Sequence, residues 1–104
     1  MITAIIQFPL KDGTTLEQAR DAYEGSAPKY RGLAGLVRKY YLFDAATGIG
    51  GGCYLWESRE AAESFYDDTW KRFITERYGA EPRISYFETP VIVDNALEPA
   101  AAAD

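Results

Sequence analysis

The sequence predicts one α+β domain in which a four-stranded antiparallel sheet carries two helices on one face, and three observations lead to that expectation. Residues 2–8, 36–43, 50–56 and 83–93 are short runs rich in β-branched and aromatic residues with two-residue alternation. Between the first and second runs, and again between the third and fourth, apolar residues recur at helical spacing behind capping residues. A length of 104 residues holds a single core with little to spare.

The first run sets Ile2, Ala4, Ile6 and Phe8 on one face and Thr3, Ile5 and Gln7 on the other, as a central strand would. Pro9 and Asp12-Gly13 end it. Thr14 and Thr15 are both N-cap candidates, with capping-box partners at Glu17 and Gln18. The helix behind them is expected to bury Leu16, Ala19, Ala22 and Tyr23, and Gly25, Ser26 and Pro28 predict a kink or a short second piece reaching Tyr30.

Gly32 and Gly35 bracket a turn into the second strand, which alternates Val37, Lys39, Tyr41 and Phe43 against Leu36, Arg38, Tyr40 and Leu42. Residues 44–48 form a hairpin loop into Gly50-Gly51-Gly52-Cys53-Tyr54-Leu55-Trp56. Each glycine inside a strand costs roughly 0.5–1 kcal/mol relative to alanine. Either these residues finish the hairpin turn, or the strand needs a bulge, a close backbone approach or room for a ligand. A bulge at Gly51-Gly52 would exchange the faces of Tyr54 and Trp56 relative to Lys39, so the register stays open.

Ser58 caps a second helix with Ala61, Ala62, Phe65 and Tyr66 on its apolar face. Asp67-Asp68-Thr69 reads as a break and restart, with Asp68 or Thr69 capping a segment that buries Trp70, Phe73, Ile74 and Tyr78 before Gly79 ends it. The last strand alternates Ile84, Tyr86 and Glu88 against Ser85, Phe87 and Thr89, and Pro90 assigns its far half to an edge. The domain is expected over residues 1–95, with 96–104 a flexible, alanine-rich C-terminal tail.

The order is ferredoxin-like, βαββαβ. The face left uncovered by helices carries Ile5 and aromatic residues of the second strand, too apolar a surface for water. A homodimer follows, two sheets pairing through those faces into a dimeric α+β barrel.

The net charge of −5 and the scatter of the 11 Lys and Arg residues predict no nucleic acid and no anionic membrane as partner. No run approaches the roughly 20 apolar residues of a membrane span, and no secretory signal is expected. Cys53 is alone, which suits a reducing, cytoplasmic setting. Histidine is absent, which removes the commonest general base, the Ser/His and Cys/His pairs and most zinc or non-haem iron sites.

The stretch Gly35-Leu36-Val37-Arg38-Lys39-Tyr40-Tyr41, then Gly51-Gly52-Cys53-Tyr54-Leu55-Trp56-Glu57-Ser58 followed by Glu60-Ala61-Ala62-Glu63-Ser64-Phe65-Tyr66, resembles the YdhR-type monooxygenase family. This belongs to the dimeric α+β barrel superfamily, with the antibiotic-biosynthesis monooxygenases and the EthD-like proteins, and the resemblance spans residues 2–95. It implies a homodimer without metal or flavin, with a pocket between sheet and helices in each subunit. The implied activity is cofactor-independent monooxygenation of a small planar aromatic or hydroxylated polycyclic compound. Such barrels also host isomerases, decyclising enzymes and non-catalytic small-molecule-binding or stress-related proteins, so a binding module is the second expectation. Related antibiotic-biosynthesis monooxygenases are associated with pocket asparagine, tryptophan, arginine or histidine. This chain has no histidine, and its one asparagine, Asn95, follows the last strand. The lysine strand and the glycine-tryptophan strand carry over; a complete catalytic set does not.

Cofactor-free oxygenation needs a substrate anion that passes an electron to oxygen, and fixed cationic and hydroxyl donors stabilise such an anion. Lys39 and Tyr41, on one strand face, are the catalytic candidates. A partly buried Lys39 has a lowered pKa and could also act as base. The competing placements pair Lys39 with Glu57 or Glu88, or let it snorkel at the dimer rim. Trp56 and Trp70 are candidate ring platforms, and Tyr23, Tyr30 and Tyr66 candidate hydroxyl donors at the pocket edge. Each alone could be core instead. Eight tyrosines and two tryptophans together favour an aromatic-lined cavity. Cys53 has no basic neighbour in sequence and reads as a small core residue.

Overall fold

The alternation of residues 2–8 places β1 (Ile2–Pro9) at the centre of the sheet, where its two edges pair with different strands. In this computed structural model, which describes residues 1–97, the elements follow as α1 (Leu16–Tyr30), β2 (Leu36–Asp44), β3 (Ile49–Trp56), α2 (Arg59–Phe65), α3 (Asp68–Tyr78) and β4 (Arg83–Glu88). The sheet order is β2-β3-β1-β4 and every pairing is antiparallel, the ferredoxin-like arrangement. The second helical region is split into α2 and α3. A short 3-10 turn spans Asn95–Leu97, and the rest of the expected tail lies outside the described residues.

Ala4, Ile6 and Phe8 of β1 pack with Tyr54 and Trp56 of β3 against Ala62 of α2 and Trp70 and Ile74 of α3. The pairing of β1 with β3 runs unbroken from Ile2↔Trp56 to Pro9↔Ile49, so the glycines are not a bulge. The irregularity lies in β2 instead, between Leu36 and Arg38. Val37 is the extra residue and is 45% exposed, whereas Leu36 pairs with Trp56 and packs on the core. The expected alternation of β2 therefore holds from Arg38 onward and is broken before it, because a bulge residue has no partner across the ladder.

Thr15 is the cap of α1: its hydroxyl accepts from the Gln18 N–H and the Gln18 side chain accepts from the Thr15 N–H. α1 continues as one helix through Pro28 to Tyr30, so no separate second piece forms. With two residues left beyond it, the proline removes one late hydrogen bond and no more. Leu16 is 55% exposed and Ala22 also lies at the surface, so the buried stripe narrows to Ala19 and Tyr23.

Ser58 caps α2 through the Ala61 N–H. Asp67, not Asp68 or Thr69, caps α3 through the Trp70 N–H, and Gly79 ends it with a φ of 81°. Phe73, expected in the core, is 48% exposed. β4 pairs only with β1 and stops at Glu88, five residues short of the expected strand, since Pro90 has no N–H to offer a ladder. The segment beyond is tied to β2 by the Arg38–Asp94 ion pair of 2.5 Å.

On the face away from the helices, Tyr40 and Leu42 of β2 and Phe87 of β4 are 54%, 39% and 57% exposed.

Candidate functional site

Three glycines make the room for this site. A Cβ on Gly50 would stand 2.4 Å from the Tyr23 hydroxyl oxygen, and one on Gly52 would stand 2.8 Å from Cε1 of Tyr54 and 3.3 Å from Cε of Lys39. The missing side chains are thus the space taken by the Tyr23 phenol and the Lys39 stem. At Gly51 the backbone itself takes part: its N–H donates to the Tyr23 hydroxyl at 3.2 Å, and that hydroxyl donates to the Leu42 carbonyl at 2.9 Å. Tyr23 therefore spans β2 and β3 from below α1.

The register then decides what faces the helices. Lys39 pairs with Tyr54 and Tyr41 with Gly52, so Lys39, Tyr41, Tyr54 and Trp56 share the helix side of the sheet. Between this side, α1 and α3 lies a cavity of about 350 Å³. Tyr23, Tyr30, Lys39, Tyr41, Tyr54 and Trp70 line it, with Lys29, Phe73 and Arg77 also in its wall.

The Lys39 ammonium sits among ring faces. Nζ lies 3.4 Å from the centroid of Tyr30, 3.8 Å from that of Tyr41 and 4.5 Å from that of Tyr54. The Tyr30 ring stands edge-on to Tyr41 and Tyr54, with centroids 6.2 and 5.9 Å away. Neither Glu57 nor Glu88 pairs with this lysine; among the described residues the ion pairs are Arg38–Asp94 and Arg59–Glu63. Removal from water, and secondarily the charge of Lys29, bring its pKa down from 10.5 to about 7. The ring faces favour the cation and work against that fall.

The tyrosine hydroxyls have committed protons. Ser26 Oγ donates to the Tyr23 carbonyl at 3.0 Å, so in its 2.6 Å contact with Tyr41 the phenol is the donor and Ser26 the acceptor. Burial raises the pKa of Tyr41, with the Ser26 hydrogen bond opposing. Burial likewise raises Tyr23 and raises Tyr54 far above the ordinary phenol range. None of these is a phenolate at neutral pH.

Trp56 and Tyr66 do not line the cavity. Trp56 is 1% exposed, stacks on Tyr54 with centroids 6.1 Å apart, and donates its indole N–H to the Tyr66 hydroxyl at 3.0 Å. This pair holds the wall that carries Tyr54. Trp56→Phe leaves the buried Tyr66 hydroxyl without that donor, and a loss of about 1–3 kcal/mol in a denaturant titration is expected, with the cavity intact. Trp70 does line the cavity, and its buried indole N–H has no acceptor among the described residues.

Tyr54, Ser26, Lys29, Phe73 and Arg77 line the cavity but were not among the site residues expected from the sequence. Tyr54 was reachable, since it shares a face with Trp56 in any register. The others depend on how α1 and α3 approach the sheet, which no local pattern encodes. Among the described residues no cluster of three or more His, Cys, Asp or Glu side chains could hold a metal, and no helix is long and apolar enough to cross a membrane.

No protein-family model matches the chain, and no curated protein does. Solved structures do match its fold. A monooxygenase of Streptomyces coelicolor, solved with the ligand nanaomycin D, is 16% identical over 90% of this chain and 92% of its own, with a TM-score of 0.63. SnoaB, a cofactor-independent oxygenase of Streptomyces nogalater, is 11% identical over 90% of this chain and 97% of its own, at 0.60. A protein of Arabidopsis thaliana is 16% identical over 90% of this chain and 100% of its own, at 0.59. All three share the ferredoxin-like α+β fold of this chain. At these identities the likeness is one of fold, and it does not single out the YdhR-type branch.

Proposed function

We propose that this chain is a cofactor-independent monooxygenase for a small planar phenolic compound, working as a cytoplasmic homodimer joined through the exposed sheet face. The observation that carries the reading is Lys39: an amine of pKa about 7, held in an aromatic cavity with no carboxylate partner among the described residues. An amine so placed exchanges a proton near neutrality. Its neutral form takes a proton from an acidic carbon of an anthrone-like substrate, and the ammonium so formed holds the resulting enolate. The electron-rich anion reduces dioxygen, a carbon–oxygen bond forms, and loss of water from the hydroperoxide leaves a ketone. One methylene and one dioxygen become one carbonyl and one water. Tyr30, Tyr41 and Trp70 provide the ring faces, Tyr23 braces the two strands, and Trp56 with Tyr66 supports the wall behind Tyr54.

One observation favours the alternative of a non-catalytic small-molecule-binding protein. The hydroxyl protons of Tyr23 and Tyr41 already go to internal acceptors, which leaves Lys39 to act largely alone.

Oxygen uptake with a panel of anthrones separates the two. The oxygenase gives uptake whose kcat/KM rises with pH through about 7, as Lys39 loses its proton. Saturable binding with no uptake above buffer would reject the enzyme and leave the binding protein. Sedimentation at micromolar protein tests the homodimer, and a monomer there contradicts it.

A further inference from the structure

We propose that Lys39 is also a nucleophile, and that the cavity takes aromatic aldehydes by forming an imine between them and the Lys39 amine. This uses the cavity described above and does not depend on the oxygenation.

The strand and the glycines hold the amine in place. Lys39 stands on β2 opposite Tyr54 of β3, and its stem passes Gly52, where a Cβ would come within 3.3 Å of Cε. A larger residue at position 52 would push the stem aside. Nζ is thereby kept in the cavity wall, 3.4 Å from the ring centroid of Tyr30 and 3.8 Å from that of Tyr41. Among the described residues it belongs to no ion pair, so no carboxylate fixes it as an ammonium. The chain has three other lysines, Lys11, Lys29 and Lys71, and all of them are exposed.

Withdrawal from water, with the charge of Lys29 nearby, leaves much of this amine unprotonated at neutral pH. An unprotonated lysine in an apolar pocket is a form in which proteins use this side chain to attack carbonyl carbons. The lone pair of Nζ forms a bond to the aldehyde carbon, and the carbonyl oxygen gains one of the two nitrogen-bound hydrogens. The carbinolamine gives up that oxygen with the second hydrogen as water, and a carbon–nitrogen double bond remains. Amine and aldehyde become imine and water, with nothing oxidised or reduced. A neutral imine also removes the ammonium that burial and Lys29 disfavour.

The walls select the class of aldehyde. Tyr30, Tyr41, Tyr54, Trp70 and Phe73 present rings to a cavity of about 350 Å³, within the roughly 300–1,000 Å³ of small-molecule sites. Three ring centroids lie within 4.5 Å of Nζ. That crowding leaves the reacting carbon space for one flat ring and a hydrogen, which favours an aldehyde over a ketone.

Trapping with 2-naphthaldehyde and cyanoborohydride at about pH 7, read by intact mass and peptide mapping of the full chain, tests this. A lysine in water is unprotonated to less than about one part in 10³ at that pH, whereas Lys39 is near its midpoint. One naphthylmethyl group per chain is expected, with Lys39 labelled at least about tenfold more than each of Lys11, Lys29 and Lys71. In denaturing urea the preference for Lys39 disappears. Lys39→Met loses this adduct and keeps whatever labelling the Met1 α-amine shows in the parent. With 2-acetonaphthone the ratio of Lys39 to α-amine labelling falls. Absence of an adduct, or label confined to the α-amine and the exposed lysines, overturns the proposal; a ratio unchanged with the ketone overturns the choice of aldehydes. Trapping at Lys39 without oxygen uptake from anthrones leaves the imine standing and removes only the oxygenase, and uptake without trapping does the reverse.

Discussion

Lys39→Met is expected to remove turnover and, at mildly acid pH, to stabilise the protein. General acid–base groups contribute typically about 10²–10⁴-fold, and that is the fall expected in kcat/KM for an anthrone. The stability effect has the opposite sign. Unfolded, a lysine titrates near 10.4; folded, Lys39 titrates at about 7, because water is withdrawn from it and Lys29 lies near. Between these values the unfolded chain binds more protons than the folded one, so stability climbs with pH across that window. Below about pH 7 the full burden of a poorly solvated ammonium remains. Partial exposure and the three ring faces reduce it, and on the order of 1–3 kcal/mol is expected to be recovered on substitution. Methionine keeps the unbranched stem, and its sulfur meets aromatic rings favourably. Denaturant titrations at about pH 6 and about pH 10 check the sign, since the gain should shrink at the higher pH. A variant less stable than the parent at the lower pH contradicts the burial of a strained charge. A residue that burdens the fold and serves the reaction is the usual form of the trade between stability and activity.

How far the sequence announces this site depends on the range of the interaction concerned. Strand β1 is legible because its alternation is local and both its edges are paired. The caps at Thr15 and Ser58 and the Gly79 terminus are legible because each is chemistry within one helical turn. Asp67 was displaced by one residue from the expected cap, an error that three consecutive capping residues invite. The bulge at Val37 was not legible: nothing in Leu36-Val37-Arg38 differs from ordinary strand sequence, and the irregularity arises from fitting β2 to Trp56 of β3. Lys39 was identified as the one lysine on an aromatic strand, but its environment was not. Its neighbours Tyr30 and Lys29 come from the end of α1, beyond a proline that locally argued for a break. Trp56 illustrates the converse. Its prominence in the sequence suggested a ligand platform, and the register instead buries it with Tyr66. Propensity shows that an aromatic is wanted; tertiary packing decides whether it meets a ligand or another side chain.

Gly51→Ala is expected to unfold the chain outright. A Cβ there would lie 1.8 Å from the Ile6 carbonyl oxygen, 2.7 Å from the Ile6 carbonyl carbon and 3.1 Å from Cα of Gln7, all of them backbone. These atoms belong to β1, which is paired on both edges and cannot move aside without breaking one ladder or the other. The residue also holds a φ of 151°, which side chains rarely adopt, and its N–H is the donor that fixes Tyr23. Collision, backbone strain and loss of that bond together exceed about 4 kcal/mol, a large part of the roughly 5–15 kcal/mol that holds a domain of this kind. Two companion substitutions separate the causes. Gly48 also has positive φ, 74°, but a Cβ there would meet nothing within 4 Å, so Gly48→Ala carries the conformational penalty alone, about 1 kcal/mol. Gly52→Ala meets mainly the Tyr54 and Lys39 side chains, which can give way, so it should fold with a smaller loss and a displaced amine. Circular dichroism melts of the three variants rank them. If Gly51→Ala melts within a few degrees of Gly48→Ala, close approach of β3 to β1 is not what the glycines provide. If instead Gly51→Ala is unfolded while Gly52→Ala folds and binds the aromatic ligand poorly, one glycine serves the sheet and the next serves the site.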